Sequence, residues 1–139
     1  MPRVRPVVVT ALAIAAFSVS VAGQEEKAKG KKHVLVHAVC PNSEGGPLQI
    51  TVNPWTAFLD QGDDTVWKLQ TNRPQDNTIK IEAKAESDWP YPDRELSGET
   101  EVTFERMKGN AKGDDYLYNI TLYCGTDKVV IDPRVRVGP

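Results

Sequence analysis

From His33 onward, apolar and β-branched residues alternate with polar ones over short stretches, which is the period-two pattern of strands with one buried face. Clusters of Gly, Pro, Asn and Asp separate these stretches and favour turns. No stretch shows the sustained 3.6-residue periodicity of an amphipathic helix. The pattern predicts about seven strands, over residues 33–39, 48–53, 65–70, 77–83, 100–105, 115–123 and 128–137.

These strands predict an all-β domain, because short strands at this spacing, with antiparallel-style alternation, are typical of a Greek-key β-sandwich. The longest irregular segment, residues 84–99, contains Trp89-Pro90-Tyr91-Pro92. Proline cannot donate to a strand ladder, so this segment is not a regular central strand. We predict one sandwich domain over residues 33–139, preceded by a flexible polar leader over residues 24–32.

The first 23 residues have the three parts of a secretory signal peptide in the required order. A positive start with Arg3 and Arg5 is followed by an apolar stretch over residues 7–17 and by small residues that end at Ala22 and Gly23. The apolar stretch is shorter than the run of about 20 residues that a membrane span needs. We predict cleavage after Ala22 or Gly23 and a secreted or periplasmic protein that does not span the membrane.

The charge balance bears on the class of partner. The chain has 17 Lys and Arg against 19 Asp and Glu, and removing the signal peptide takes away two arginines and no acidic residue. Nucleic-acid binding requires a basic face for the phosphates. The basic cluster in the leader is explained as a solvated tail. We therefore expect no nucleic-acid partner.

The two cysteines each stand at the end of a predicted strand and directly before a turn sequence. In an exported protein with two cysteines, an intramolecular disulfide is the default. A catalytic or metal-binding thiolate needs a positive or imidazole neighbour, and none is adjacent to Cys124. We predict a structural Cys40–Cys124 bridge, which stabilises the fold by about 4 kcal/mol through loop closure.

Two segments carry a resemblance to a known fold family. One is Ile50-Thr51-Val52-Asn53-Pro54 followed by Gln61-Gly62-Asp63-Asp64-Thr65-Val66-Trp67, and the other is Tyr116-Leu117-Tyr118-Asn119-Ile120-Thr121-Leu122-Tyr123-Cys124. The first resembles the strand, Gly-Asp turn and tryptophan-bearing strand of many cupredoxins. The second is similar to the tyrosine-rich strand that leads into the copper-binding cysteine of that family. An immunoglobulin-like sandwich is the alternative, since it also has a strand tryptophan and a Tyr-x-Tyr segment.

The resemblance implies the cupredoxin scaffold without its copper. A blue-copper site needs two histidines, a cysteine thiolate and usually an axial methionine. In copper-binding members, a histidine and then a methionine follow the cysteine within a few residues, whereas residues 125–139 contain neither. Residues 69–74, where the resemblance places the first ligand histidine, also contain none. We predict no metal or other cofactor.

The chain contains few residues that could carry out other catalytic chemistry. His33 and His37 are the only histidines, and on a strand they are about 13 Å apart, too far to share one ion. We interpret them as polar positions on a half-exposed edge strand; an atypical surface copper or zinc site is the alternative. The acidic pairs Asp63-Asp64 and Asp114-Asp115 follow glycines and are explained by turns. A small carboxylate-dependent hydrolase stays open as a second alternative.

The segment Asp88-Trp89-Pro90-Tyr91-Pro92-Asp93 is the candidate binding loop. Its prolines hold Trp89 and Tyr91 in a semi-rigid segment, which lowers the entropic cost of binding a protein or carbohydrate ligand. The alternative is that both rings fold back as a lid over one end of the sandwich. Trp55, Trp67 and Tyr118 are predicted core residues. The sequence thus favours a non-catalytic binding or interaction module whose ligand it does not specify.

Overall fold

The computed structural model describes residues 30–43 and 45–139. The predicted signal peptide and most of the predicted leader lie outside the described residues. The described part is all-β, as predicted, and has ten strands where the sequence predicted about seven. The strands are β1 (Lys31–Val39), β2 (Gln49–Asn53), β3 (Thr56–Leu59), β4 (Asp64–Thr71), β5 (Asn77–Ala83), β6 (Glu95–Gly98), β7 (Glu101–Phe104), β8 (Asp115–Cys124), β9 (Asp127–Ile131) and β10 (Arg134–Val137). No helix long and apolar enough to cross a membrane occurs in this described part.

The strands form the two sheets of a sandwich. One sheet has the order β2-β1-β4-β7, and the other has the order β3-β10-β8-β5-β6 with β9 also paired to β8. Most neighbouring strands are antiparallel, but β1 runs parallel to β4 and β3 runs parallel to β10. The alternation of apolar and polar residues does not distinguish parallel from antiparallel pairing, because side chains alternate between the two faces of the sheet in both.

The predicted strand over residues 128–137 is in fact two strands, β9 and β10. Both pair with β8 in one continuous register, since Ile131 lies opposite Ile120 and Arg134 lies opposite Leu117. Pro133 lies between them and has no N–H, which interrupts the ladder. β3 and β6 were not predicted because their sequences do not alternate: β3 contains three consecutive apolar residues, Ala57-Phe58-Leu59, and β6 contains one apolar residue, Leu96. β1 also begins two residues earlier than predicted, at Lys31.

Five aromatic rings pack between the sheets, with neighbouring centroids 5.3 to 6.0 Å apart. They belong to Trp67, Phe104, Tyr118, Trp89 and Tyr91. Trp67 Nε1 donates a hydrogen bond to the Tyr118 hydroxyl at 3.0 Å. Trp67 and Tyr118 are therefore core residues, as predicted.

The rings of the candidate binding loop are part of this core. Trp89 is 1% exposed and Tyr91 is 0% exposed, which agrees with the alternative of rings folded back over the sandwich and leaves no exposed ring surface for stacking on a ligand. Large rings gain more from burial against other rings than from a half-exposed position. The Tyr91 hydroxyl donates to Asp63 O at 2.8 Å and accepts from Thr65 Oγ1 at 2.6 Å, which fixes the segment on β4.

Trp55 is the reverse case, because it was predicted in the core and is 47% exposed. It lies between β2 and β3, where the chain crosses from one sheet to the other, directly after the cis Asn53–Pro54 peptide. A residue at such a crossing belongs to neither sheet, so its side chain is not directed inward by the alternation of a strand.

Candidate functional site

The predicted Cys40–Cys124 disulfide is confirmed. Cys40 follows the last residue of β1 and Cys124 is the last residue of β8, so the bridge ties the two sheets together at one end of the sandwich. Both cysteines are 2% exposed. In this bridged state neither sulfur is a thiolate, so neither acts as a nucleophile or a metal ligand.

Amide and hydroxyl side chains surround the bridge. Asn72 clamps the backbone of Cys40, since its Oδ1 accepts from Cys40 N at 2.8 Å and its Nδ2 donates to Cys40 O at 3.2 Å. The buried Asn77 donates to Thr71 Oγ1 at 2.7 Å and to the Arg73 carbonyl, and its Oδ1 lies 3.1 Å from Cys40 Sγ. A bridged sulfur has no proton to donate, so that last approach is a packing contact. This end of the sandwich is therefore a hydrogen-bonded structural cap.

The histidines lie on the outer face of β1, and both are exposed. His37 pairs with Thr51 of β2 and with Gln70 of β4, so the edge-strand prediction is wrong for it. His33 lies in the first half of β1, which pairs with β4 alone. Within residues 30–43 and 45–139, no three or more His, Cys, Asp and Glu side chains are grouped to hold a metal ion.

Two large apolar side chains, three positions apart along the chain, are exposed in and just before the edge strand β3 of the six-stranded sheet. Phe58 is 61% exposed and is the most exposed large hydrophobic residue among those the structure describes; Trp55 is 47% exposed. Each is next to an arginine of β10, because Arg136 pairs with Phe58 in register and Arg134 N donates to Trp55 O at 3.1 Å. We call these four residues, Trp55, Phe58, Arg134 and Arg136, the β3 edge surface.

The two arginines share one carboxylate. Arg136 Nε donates to Asp115 Oδ1 at 2.8 Å, whereas Arg134 Nη1 lies 3.6 Å from Asp115 Oδ2. The hydrogen bond from Arg136 lowers the pKa of Asp115, and the positive charges of Arg136 and Arg134 act in the same direction. One carboxylate against two guanidinium groups leaves a net positive charge among these three side chains, and Arg134 is the more weakly paired cation.

β3 is an edge strand, since it pairs only with β10 in the described part of the chain. The carbonyls of Trp55 and Leu59 accept from Arg134 N and Gly138 N, which places the odd-numbered residues of β3 toward β10. In a parallel pair, alternate residues direct both backbone groups to the same neighbour. The N–H and C=O groups of Thr56 and Phe58 therefore point away from β10, to the open side of the sheet.

A cleft of about 530 Å³ is lined by two residues of the β3 edge surface, Phe58 and Arg136. Lys32, Asp60 and Asp63 supply the other charged side chains of the cleft. The Asp63 carboxylate accepts a hydrogen bond from Asp60 N at 2.9 Å. Because charges of both signs line it, the cleft does not by itself select a small ion of either sign.

Sequence reasoning missed the β3 edge surface, although one signal was present. Ala57 and Leu59 are buried and lie two apart, so the period of a strand requires Phe58 between them to face outward. The pattern of three consecutive apolar residues, Ala57-Phe58-Leu59, conceals this alternation. The arginines of β10 were assigned to a long strand whose neighbour the sequence did not identify.

Sequence comparison with known proteins assigns no family to this chain. No protein-family model matches the chain, and no curated protein matches it in sequence.

Proposed function

We propose that this protein is an exported, non-catalytic binding module that recognises a protein partner through the β3 edge surface. The observation that carries the proposal is the position of Trp55 and Phe58, 47% and 61% exposed, beside two arginines on an open sheet edge. Aromatic residues and arginine are the residues enriched in protein interfaces and their hot spots. The fold already buries six other aromatic rings, so these two exposed rings gain apolar contact only where a partner covers them.

The structural roles of the chemically interesting residues support a non-catalytic function. The cysteines form the inter-sheet bridge, and Asp115 is engaged by the two arginines. Asp63 accepts a backbone hydrogen bond within the turn before β4. Each of these side chains has a partner that explains it without a substrate.

The described sandwich also supports the finer proposal of a cupredoxin-like scaffold that lacks copper. Trp67 and Tyr118, one from each segment that carries the resemblance, are joined by a hydrogen bond in the core. Cys124 ends β8, where the resemblance places the copper-binding cysteine, and it is bridged to Cys40. In this proposal, a disulfide and the amide of Asn77 occupy the end of the scaffold that holds the metal in copper-binding members.

A protein partner is favoured over a carbohydrate because the backbone of β3 is part of the surface. The open N–H and C=O groups of Thr56 and Phe58 have the spacing of a strand ladder. Another polypeptide matches that spacing, whereas a sugar has no such repeat. Stacking of a sugar on Trp55 and Phe58 alone would leave these backbone groups unused.

The test is a selection from a library of random 12-residue peptides on the purified protein, followed by affinity measurements by fluorescence anisotropy. We expect the selected peptides to bind Phe58→Ser and Trp55→Ser at least about tenfold more weakly than the wild type, the loss of a hot-spot contact. Val130→Ser is the matched control, because Val130 is an exposed apolar residue on β9; it is expected to retain full affinity.

All three substitutions are at exposed positions, and we expect each to change the free energy of unfolding by no more than about 0.5 kcal/mol. Thermal unfolding of each variant excludes loss of fold as the cause of weaker binding. Peptides that bind the Phe58 and Trp55 variants as tightly as the wild type, or a selection that yields no binder, would overturn the proposal.

A further inference from the structure

We infer that the partner contributes an extended acidic segment, which adds as a strand to the open side of β3 and places a carboxylate against Arg134. This inference rests on the proposed function and specifies how the β3 edge surface is used. Strand addition gives affinity through main-chain hydrogen bonds and specificity through alternate side chains.

The first argument is the backbone of β3. Thr56 and Phe58 direct their N–H and C=O groups to the open side, as the pairing of Trp55 and Leu59 with β10 requires. A strand placed there would continue the order of the six-stranded sheet beyond β3 at the usual spacing of about 4.8 Å. Because β3 has four residues, the added strand needs only a short extended segment.

The second argument is that β3 carries an outward aromatic ring where the other described edges carry charged or polar side chains. Edge strands are normally guarded against pairing by short length, charged residues, prolines or bulges, and of these β3 has its short length and the preceding Pro54. Charged residues guard the other open edges, namely Lys31 and Lys32 in the first half of β1, Glu95 in β6, Glu101 in β7 and Lys128 in β9. β2 has no charge, but its outward side chains are the polar Gln49, Thr51 and Asn53. β3 has no charged residue, and its outward face carries Phe58.

The third argument is charge complementarity, which selects an acidic segment. Asp115 engages Arg136 directly at 2.8 Å and leaves Arg134 at 3.6 Å, so Arg134 retains donors for another carboxylate. Arg134 lies opposite Thr56, and its guanidinium group is directed to Asp115 of β8, on the other side of β10 from β3. To meet a carboxylate on an added strand, it must turn from Asp115 across the small Thr56 side chain. The backbone of an added strand would be about 10 Å from β10, a span that an arginine and a glutamate side chain bridge together.

These positions define the side-chain pattern of the partner. On the outer face, the residue opposite Thr56 is acidic and meets Arg134, and the residue opposite Phe58 is apolar and packs on its ring. The two positions are two residues apart, because alternate residues share a face. The side chain of the residue between them points to the inner face of the sheet.

The experiment uses a synthetic nine-residue peptide, acetylated and amidated, with glutamate at every fourth position and isoleucine midway between glutamates. Threonine fills the remaining positions. Binding is followed on the ¹⁵N-labelled protein by amide chemical shifts and by hydrogen exchange. We expect exchange at the Thr56 and Phe58 amides to slow on binding, while the Ala57 amide, which faces β10 already, stays unchanged.

Two modified peptides test main-chain pairing. N-methyl groups are placed on alternate amides, in two complementary sets, so that one set blocks the edge that faces β3 and the other set leaves it free. We expect one set to abolish binding and the other to bind within about threefold of the parent peptide, because only one edge of an added strand pairs with β3.

The acidic requirement is tested by a peptide with glutamine in place of glutamate. We expect it to bind the wild type about tenfold more weakly, the effect of losing a charge-assisted hydrogen bond. The difference between the two peptides is expected to disappear in Arg134→Gln and to persist in Lys128→Gln, a matched control on β9 of the same sheet.

The outcomes separate this inference from the proposed function. Two N-methylated sets that bind as well as the parent, or no binding at millimolar peptide, would overturn strand addition. If library-selected peptides still depend on Phe58, the proposed function stands without it. A dimer of the protein alone, detected by sedimentation and dissolved by Phe58→Ser, would make a second copy the occupant and overturn the acidic partner.

Discussion

The disulfide between Cys40 and Cys124 is the structural element whose contribution to stability follows most directly from the fold. We consider the variant in which both cysteines are replaced by alanine. The bridge connects the end of β1 in one sheet to the end of β8 in the other. Its loss therefore removes the covalent link between the two sheets and releases the unfolded chain from a closed loop.

The magnitude follows from the length of that loop. The cysteines are 84 positions apart, and loop closure over such a length corresponds to about 4 to 5 kcal/mol at 25 °C. A domain of this size is stable by about 5 to 15 kcal/mol in total. With an unfolding entropy of about 0.2 kcal/mol/K, the loss lowers Tm by about 20 to 25 °C.

The assay is urea unfolding followed by circular dichroism, for the oxidised wild type, the reduced wild type and the double alanine variant. Reduction opens the loop but keeps both sulfur atoms in the core, so it separates the effect of the link from the effect of packing. We expect both modified forms to lose about the same free energy. A loss below about 1.5 kcal/mol in both would refute the loop-closure argument and mean that hydrogen bonds around the bridge hold this end of the sandwich.

Three further predictions concern the core and the arginine pair. Trp89→Ala is expected to lower the free energy of unfolding by about 3 to 5 kcal/mol in urea titrations, and a loss below 1 kcal/mol would contradict the burial of its ring. Burial raises the pKa of Tyr91 and Tyr118 above the usual 10.0, so the stability that they confer is complete below about pH 10 and is lost as pH rises further. Part of the tyrosinate absorbance should therefore appear together with the loss of β-sheet circular dichroism; complete ionisation of the folded protein would contradict this. Arg136→Gln is expected to raise the pKa of Asp115, measured by carboxyl ¹³C NMR, because it removes the hydrogen bond that lowers this pKa; an unchanged pKa would contradict the pairing.

The sequence was a good guide to the strands with several buried positions. β1, β4, β5 and β8 are all within two residues of their predicted bounds, because three or more buried side chains fix the period in each. β3 and β6 lack the alternation that revealed β7, a strand of the same length, because β3 has three consecutive apolar residues and β6 has only one. The sequence did not predict which strands pair, because the parallel pairing of β1 with β4 depends on how the whole sandwich is arranged.

The candidate site was harder to predict, and the reason is visible in the aromatic residues. Composition identifies Trp55 and Trp89 as large apolar side chains without saying which is covered. Trp89 is covered because β4 binds the loop through the Tyr91 hydroxyl, a contact between residues 26 and 28 positions apart. Trp55 is exposed because the chain changes sheets there. Both outcomes depend on tertiary contacts that local sequence patterns do not encode.

The exposure of Phe58 is the feature that the fold alone does not explain. Ala57 and Leu59 supply the inward contacts of β3, so an outward lysine or threonine would satisfy the strand equally well and would guard its edge against pairing. An exposed phenylalanine on an open edge instead favours association, and burying such a ring is worth about 1.5 to 3 kcal/mol. The sandwich does not recover that energy, whereas a partner that covered Phe58 and Trp55 would. The outward Phe58 on an open edge, the exposed Trp55 and the weakly paired Arg134 therefore support the proposed strand addition.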